Sequence, residues 1–421
     1  MLIEFTVQNY KSISEKQTLS LVASKLNDLP NNLFSIDEPK SLELLKSAVI
    51  YGPNAAGKSN IINAITTMAE LIVRSATGYK SGDKLDITPF RLDSKKINQP
   101  SEFEINFISE GIRYQYGFSA TEDFIHDEWL FAFPKGRPQK WFLRLWDEEK
   151  QTHEWELGPS LTGEKQTWLK STRPNALFLS TAVQLNSVQL KPVYDWFYYK
   201  VKFTELTGWD SDYSAKQCLN DKKDEILNFL KAADVGIDDI HVTKEKFNPN
   251  ALPDDMPAAI KELVIKNMQG KEEYVIKTLH NNEAGEPIPF DLKDESHGTR
   301  KIFSFAEPLS HSLETGNILF IDELNDNLHP KLVEFIVGLF HDKNINKNGA
   351  QLIFTTHETS ILNQDVFRRD QIWFVEKDNS KQTNLFPLTD FSPRKGRENL
   401  EASYLDGRYG ALPLIGKWER Y

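Results

Sequence analysis

Three short stretches carry residues able to do chemistry on a phosphate. The first is "GPNAAGKSN" (52–60), where Gly52, Gly57, Lys58 and Ser59 follow the spacing glycine, any four residues, glycine, lysine, serine. Glycines there let backbone N–H groups turn towards an anion, and a helix starting at the lysine adds partial positive charge. Pro53, Asn54, Ala55, Ala56 and Asn60 complete the candidate cradle. Lys58 is expected to reach the β- and γ-phosphates of a nucleotide, and Ser59 to ligate Mg²⁺. The second stretch is "ILFIDE" (318–323), in which four apolar residues deliver two carboxylates. Asp322 is expected to hold Mg²⁺ and Glu323 to polarise an attacking water. The third is "LIFTTH" (352–357). His357 closes another apolar run and meets a γ-phosphate if the strands end together at one sheet edge.

The surrounding elements must bring these stretches together. "SAVIYG" (47–52) reads as a buried strand, and "NIINAITTMAELIVRSA" (60–76) has apolar residues at helical spacing, so the glycine loop joins strand to helix. "HGTRKIFSFAEPLSHSL" and "PKLVEFIVGLFHD" read as helices, and "NILFIDEL", "AQLIFTTHE" and "DQIWFVEKD" as strands. Apolar strands alternating with helices predict a parallel sheet. Residues 103–180 change to period two in "FEINFI", "IRYQYGFSA", "DEWLFAF", "WFLRLWD", "HEWELG" and "ALFLST", which predicts an antiparallel sheet. Residues 185–240 read as helical, including "SVQLKPVYDWFYYKVKF" and "KKDEILNFLKAAD". Strands are expected at "IHVTKE" and "EYVIKTL", and a loop at 248–257. The N-terminus "MLIEFTVQNYKSI" alternates as a strand does, and "QTLSLVA" (17–23) reads as a second strand. "DESHGTRKI" places Ser296 and Gly298 at a helix start, where free N–H groups bind anions; read alone, Ser296 is a helix cap.

The composition bounds the remaining possibilities. With 421 residues, 39% of them hydrophobic and 26% charged, the chain reads as soluble and globular. No apolar run approaches the length of a membrane span, and no signal peptide is visible, so a cytoplasmic protein without a membrane partner is expected. A lone cysteine, Cys218, excludes a disulfide framework and reads as a partly buried small residue. The net charge of −11 argues against a surface that coats nucleic acid unaided. The basic runs "KGRPQK" (135–140) and "PRKGR" (393–397) are candidates for local basic patches; read alone, each is a solvated loop. No long heptad run is present.

In this order, the glycine loop, the serine–glycine helix start, the acidic strand and the histidine strand resemble the ATP-binding cassette (ABC) superfamily. The likeness is to its soluble branch, with the chromosome-maintenance and double-strand-break-repair ATPases. "NYKSI" (9–13) is similar to the opening of that branch, which implies nucleotide contacts from Lys11 and Ser12. The family's glutamine loop implies Gln184 as a Mg²⁺ ligand; read alone it is an ordinary helix residue. "ESHGTRKI", "LFIDELNDNLHP", "FTTHE" and "NLEASYLDGRYGALP" together resemble bacterial ATPases of phage-defence and abortive-infection loci. These include RloA-like proteins, the ATPase half of the PARIS system and the ATPase lobe of the OLD nucleases. The likeness weakens over residues 186–290.

The resemblance implies an α/β fold: a P-loop ABC-type ATPase head with an antiparallel β lobe and a helical insertion. Lobe I is expected over 1–185, the insertion over 186–290 and lobe II over 291–421. It implies ATP and Mg²⁺, a homodimer or higher oligomer with Ser296 and Gly298 reaching the partner's nucleotide, and a separate effector protein. A phage-derived trigger or DNA is a further expected partner. "SHGT" and "NDNLHP" depart from the transporter pattern, so no role is carried over to Asn325 and Asp326. "GRYGALP" reads as docking the tail. No D-x-D pair on a strand follows His357, which argues against a built-in Toprim nuclease. A nucleotide-gated scaffold with negligible turnover and a DNA-repair or chromosome-associated ATPase remain as alternatives.

Overall fold

Alternation at the N-terminus forms β1 (Leu2–Gln8), which pairs antiparallel with β2 (Gln17–Ser20) on one side and β6 (Ser101–Ser109) on the other. A meander continues through β7 (Ile112–Ala120), β8 (Ile125–Phe133), β9 (Gln139–Asp147) and β10 (Thr152–Leu157). The result is a seven-stranded sheet in the order β10-β9-β8-β7-β6-β1-β2. Its inward positions are aromatic or β-branched, with Phe103, Ile105, Phe107, Tyr114, Tyr116 and Phe118 all buried. This is the period-two pattern expected of a sheet with one covered face. The computed structural model describes residues 1–36, 42–204, 209–247, 249, 252, 256–268, 270, 272–413 and 415–416.

A short hairpin, β3 (Leu33–Ile36) and β4 (Leu42–Leu45), leads into a second sheet. Its strands are β5 (Ser47–Tyr51), β11 (Val201–Phe203), β15 (Ile318–Ile321), β16 (Gln351–Thr355), β17 (Ile372–Lys377) and β18 (Thr383–Pro387), in the order β11-β15-β16-β5-β17-β18. Every pair is parallel except β17 with β18. β5, β15 and β16 are buried at every position, as strands covered on both faces must be. Helix α1 (Lys58–Arg74) buries Ile61, Ile62, Ile65, Met68, Leu71 and Ile72 at helical spacing, and its core joins residues of both sheets. The fold is therefore mixed α/β with a large antiparallel sheet.

Helices α2 (Lys165–Ser171), α3 (Phe178–Gln184) and α4 (Lys191–Asp195) follow the meander. Two expectations are corrected here. "ALFLST" reads as a strand, but Phe178–Gln184 is helical. Its first N–H groups find a ready acceptor, because the buried Glu128 carboxylate accepts from Phe178 N at 2.6 Å and Leu179 N at 3.0 Å. A short apolar run cannot by itself decide between strand and helix. The helical reading of 187–203 also fails at its end. After a π-helical turn at Trp196–Lys200, Val201–Phe203 form the edge strand β11, pairing parallel with β15.

The chain forms two compact units, the first comprising 1–206, 312–326 and 333–421 and the second 207–311 and 327–332. In the second unit, α5 (Ser211–Leu219), α6 (Lys223–Ala232) and α7 (Ala258–Met268) accompany a three-stranded antiparallel sheet. That sheet is β12 (Asp239–Lys246), β13 (Glu272–Asn281) and β14 (Pro287–Asp291). Ala215, Ile226, Leu230 and Ile240 are buried there. Helix α8 (His297–Thr315) begins in this unit, with Trp209 edge-on to Phe305 at 4.9 Å between ring centroids. The remaining helices are α9 (Pro330–His341) and α10 (Leu400–Leu405). Among the described residues no helix is long and apolar enough to cross a membrane.

Candidate active site

Register in the parallel sheet decides where the chemistry collects. Phe354 of β16 stands opposite Ile321 of β15 and Val49 of β5. All three strands run the same way, so residues 52–57, Asp322 with Glu323, and His357 leave the sheet at one edge. This is the edge at which open α/β sheets bind ligands.

The loop between β5 and α1 is held in a conformation few sequences tolerate. Ala55 has φ +63° and Gly57 φ +110°. A Cβ on Gly52 would lie 2.3 Å from Val375 O of the neighbouring strand, so only glycine fits beneath β17. Lys58 opens α1, and its side chain folds back into the loop, only 4% exposed. Its Nζ donates to Gly52 O at 2.9 Å and Pro53 O at 3.3 Å, and lies 2.9 Å from His357 Nε2. Burial holds the ammonium below the usual lysine value, and the Glu323 and Asp322 carboxylates draw it partly back up. Asn54 and Ala55 are exposed at the tip, Pro53 and Ser59 are half-buried, and Ala56 is buried.

The acidic pair is positioned by one hydroxyl. Thr355 Oγ1 donates to Asp322 Oδ1 at 2.5 Å and accepts from Glu323 N at 2.8 Å. Glu323 has φ +53°, a left-handed conformation uncommon outside glycine and asparagine. Its Oε1 lies 3.0 Å from His357 Nε2 and 4.0 Å from Lys58 Nζ. The histidine loop is tied down in turn. Asn325 Oδ1 accepts from Thr356 Oγ1 at 2.8 Å and from His357 N at 3.2 Å. Lys58, Glu323 and His357 thus meet at one point, with Asp322 anchored beside them.

Other expected residues are placed as follows. Ser12 reaches the loop, with its Oγ accepting from Asn60 Nδ2 at 2.6 Å. Lys11 is exposed, at φ +49°, with its Nζ 5.3 Å from the Tyr10 ring. Gln184 is exposed at the last position of α3 and makes no hydrogen bond to Ser59 or Asp322. Hydrogen bonds from Leu177 N to Ser75 Oγ and from Ser180 Oγ to Ile72 O lay α3 against the far end of α1. Ser296 and Gly298 belong to the second unit. Ser296 Oγ accepts from Thr299 N at 3.1 Å and so caps α8, with its surface exposed. A Cβ on Gly298 would stand 3.0 Å from Asn327 O.

The tail docks beside this edge. Glu376 of β17 accepts from Ala411 N at 2.9 Å, Tyr404 OH donates to Ala411 O at 2.9 Å, and the Tyr404 ring packs 6.0 Å from Tyr51. Thr359 Oγ1 donates to Glu401 at 2.8 Å, linking α10 to the segment just after His357. Of the two basic runs, 393–397 is partly pinned, since Lys395 pairs with Asp28 and Arg369 donates to Pro393 O. Cys218 is half-buried, and burial pushes its thiol up to about 11.

A family profile described as "AAA domain, putative AbiEii toxin, Type IV TA system" matches residues 47–363. The chain belongs to this family. The matched span of the AAA domain begins with β5 and takes in the phosphate loop, both carboxylates and His357. Among solved structures, the chain is similar to the SMC head domain from Thermotoga maritima at 13% identity, covering 92% of this chain and 98% of that one, with a TM-score of 0.42. It is also similar to a structure of the recombination mediator protein RecF, at 14% identity, 92% and 98% coverage and a TM-score of 0.38. An Smc head domain from Pyrococcus furiosus matches at 11% identity, 92% and 97% coverage and a TM-score of 0.37. No curated protein sequence matches the chain.

Nucleotide binding by an AAA domain commonly involves Mg²⁺, and the donors here fit that ion. Ser59 offers a hydroxyl and Asp322 a carboxylate, both hard oxygen ligands of the kind Mg²⁺ takes alongside water and phosphate oxygens. The glycine cradle and the lysine ammonium suit the phosphates themselves.

Proposed function

We propose that this chain binds ATP with Mg²⁺ and hydrolyses it, working as a dimer whose nucleotide state governs a separate effector in defence against phage. The observation that carries the hydrolytic part is the meeting of Lys58, Glu323 and His357 at one sheet edge. In this reading Lys58 leaves its loop carbonyls to neutralise the β- and γ-phosphates. Glu323, already within hydrogen-bond reach of His357, takes the proton of the attacking water. His357 orients that water or the γ-phosphate. Mg²⁺, held by Ser59, Asp322 and phosphate oxygens, would offset charge on the leaving group.

The defence role is supported by the toxin–antitoxin wording of the family description and by the likeness of "LFIDELNDNLHP" and the tail to ATPases of phage-defence loci. An ATPase cycle that biases a partner requires the partner to distinguish the two nucleotide states. The decisive experiment has two parts. ATP turnover by the purified chain is measured with and without Mg²⁺, against Lys58→Ala. Cells carrying this gene alone, and then with its neighbour, are challenged with phage. Turnover that survives Lys58→Ala removes the site assignment. Full protection by this gene alone removes the separate effector.

A further inference from the structure

Thr383 belongs to none of the motifs above and stands 371 residues from Ser12, yet its side chain is at the phosphate loop. It opens β18 and is wholly buried. Its Oγ1 lies 2.8 Å from Ala56 O and 2.7 Å from Ser12 Oγ, and Ser12 Oγ lies 2.6 Å from Asn60 Nδ2. The Nδ2 of Asn60 can only donate and the carbonyl of Ala56 can only accept, while each hydroxyl carries one proton. The direction of the chain is therefore fixed. Asn60 donates to Ser12, Ser12 to Thr383, and Thr383 to Ala56 O. Both ends lie on the phosphate loop, flanking Gly57, Lys58 and Ser59. Thr383 N also donates to Ser12 O at 2.8 Å, which locks the two outside segments together. A Cβ on Gly57 would stand 2.1 Å from Thr383 Oγ1, so the hydroxyl occupies the space a side chain there would need.

We infer that Thr383 is a positioning residue: through Ser12 it braces the phosphate loop, so that the loop amides are already aimed before a nucleotide arrives. The inference rests on the reading of this loop as an ATP site. It also gives Ser12 a role as a link in the brace. Without the Thr383 hydroxyl, the Ala56 carbonyl and the Ser12 proton lose their partners, and the loop is released to other conformations. Binding must then order it, which weakens affinity without touching the chemical step.

The test compares wild type, Thr383→Val and Thr383→Ser in the full chain. Mg²⁺ with ATP and Mg²⁺ with ADP are titrated, steady-state turnover is followed, and amide hydrogen exchange at residues 56–59 is measured without nucleotide. Thr383→Val is expected to weaken ATP and ADP by the same factor, about tenfold. KM should rise with kcat unchanged, and the loop amides should exchange faster. Thr383→Ser, which keeps the hydroxyl, should restore all three readings. Wild-type affinity and exchange in Thr383→Val would overturn the brace, as would a Thr383→Ser variant as impaired as Thr383→Val, since packing of the methyl would then be the cause. If Thr383→Val does not fold, Ser12→Ala breaks the same chain one link earlier and must speed loop exchange likewise; unchanged exchange overturns the brace. A wild-type protein that binds no ATP sinks the ATP reading instead, and the exchange comparison still decides the brace.

Discussion

His357 Nε2 stands 2.9 Å from Lys58 Nζ, and the same nitrogen is 3.0 Å from Glu323 Oε1. One ring nitrogen cannot serve both as acceptor and as donor. As a bare lone pair it accepts from the ammonium; as N–H it donates to the carboxylate. Either way, the ammonium, the ring and the carboxylate are held within 4.0 Å of one another at this sheet edge. On the proposed mechanism, nucleotide entry separates lysine from histidine and leaves the carboxylate facing the reacting atoms.

Glu323→Gln tests the base. The amide keeps the shape but cannot take a proton from water. ATP binding is expected to persist while turnover falls by roughly 10²-fold or more. Nucleotide titration and phosphate release measured on the same preparation check both halves. Turnover equal to wild type would remove Glu323 from the mechanism.

Asp322→Asn should behave differently. Asp322 is held by Thr355 Oγ1 at 2.5 Å, and the amide oxygen of asparagine can still accept that bond. On the proposed mechanism, what is lost is charge toward Mg²⁺. The Mg²⁺ concentration for half-maximal turnover is expected to rise about tenfold, with activity recovering at high Mg²⁺. Glu323→Gln should not recover. A Mg²⁺ titration of the two variants side by side separates metal binding from proton transfer.

The gathering of Lys58, Asp322, Glu323 and His357 at one sheet edge was legible because each stands at or just past the end of an apolar, strand-length run. An apolar run long enough for one buried strand ends directly in the reactive side chain. The antiparallel meander was legible for a similar reason, since the aromatic alternation of β6 and β7 admits one covered face. What positions these groups was not legible. Thr355 is one of two adjacent threonines in "FTTH", and only the register of β16 against β15 shows which one meets Asp322. Asn325 anchors His357 through space, and Thr383 reaches Ser12 across a separation of 371 residues. Such contacts depend on tertiary packing, of which a threonine or asparagine in sequence carries no trace. The helix Phe178–Gln184 was misread because the carboxylate that caps it, Glu128, lies on another strand.

Acid should destabilise the fold through His341. Its ring is buried, with Nε2 2.9 Å from Ser47 Oγ, and burial first, then the Lys46 cation, pushes it down to about 3 from 6.5. Between those values the unfolded chain takes up a proton that the folded chain refuses. Stability from this group is thus complete above pH 6.5 and is lost as pH falls towards 3. The slope is about 1.4 kcal/mol per pH unit. His153, lowered to about 4 chiefly by burial, acts in the same direction. In urea unfolding, the loss of stability between pH 7 and pH 5 is expected to shrink by about 2 kcal/mol in His341→Gln. An unchanged difference would mean that the ring is protonated in the folded state.

The last test concerns whether two copies share each nucleotide. Ser296 is exposed at the start of α8, where its hydroxyl caps Thr299 N. If that helix start meets a partner's γ-phosphate, an arginine there blocks closure of the pair. Ser296→Arg is expected to bind ATP about as wild type does, yet to lose turnover. Losing the cap itself costs only about 1 kcal/mol, so a melting curve should still show a folded protein. Lys58→Ala alone should also be inactive, for want of its phosphate contact. In a mixed dimer, the Lys58→Ala subunit lends an intact Ser296 to the intact phosphate loop of the other, making one whole site of two. Equal mixing makes half the dimers mixed, so about a quarter of wild-type activity should return if the sites act independently. No recovery on mixing, with mixed dimers demonstrated by differential tagging, would confine each site to a single chain.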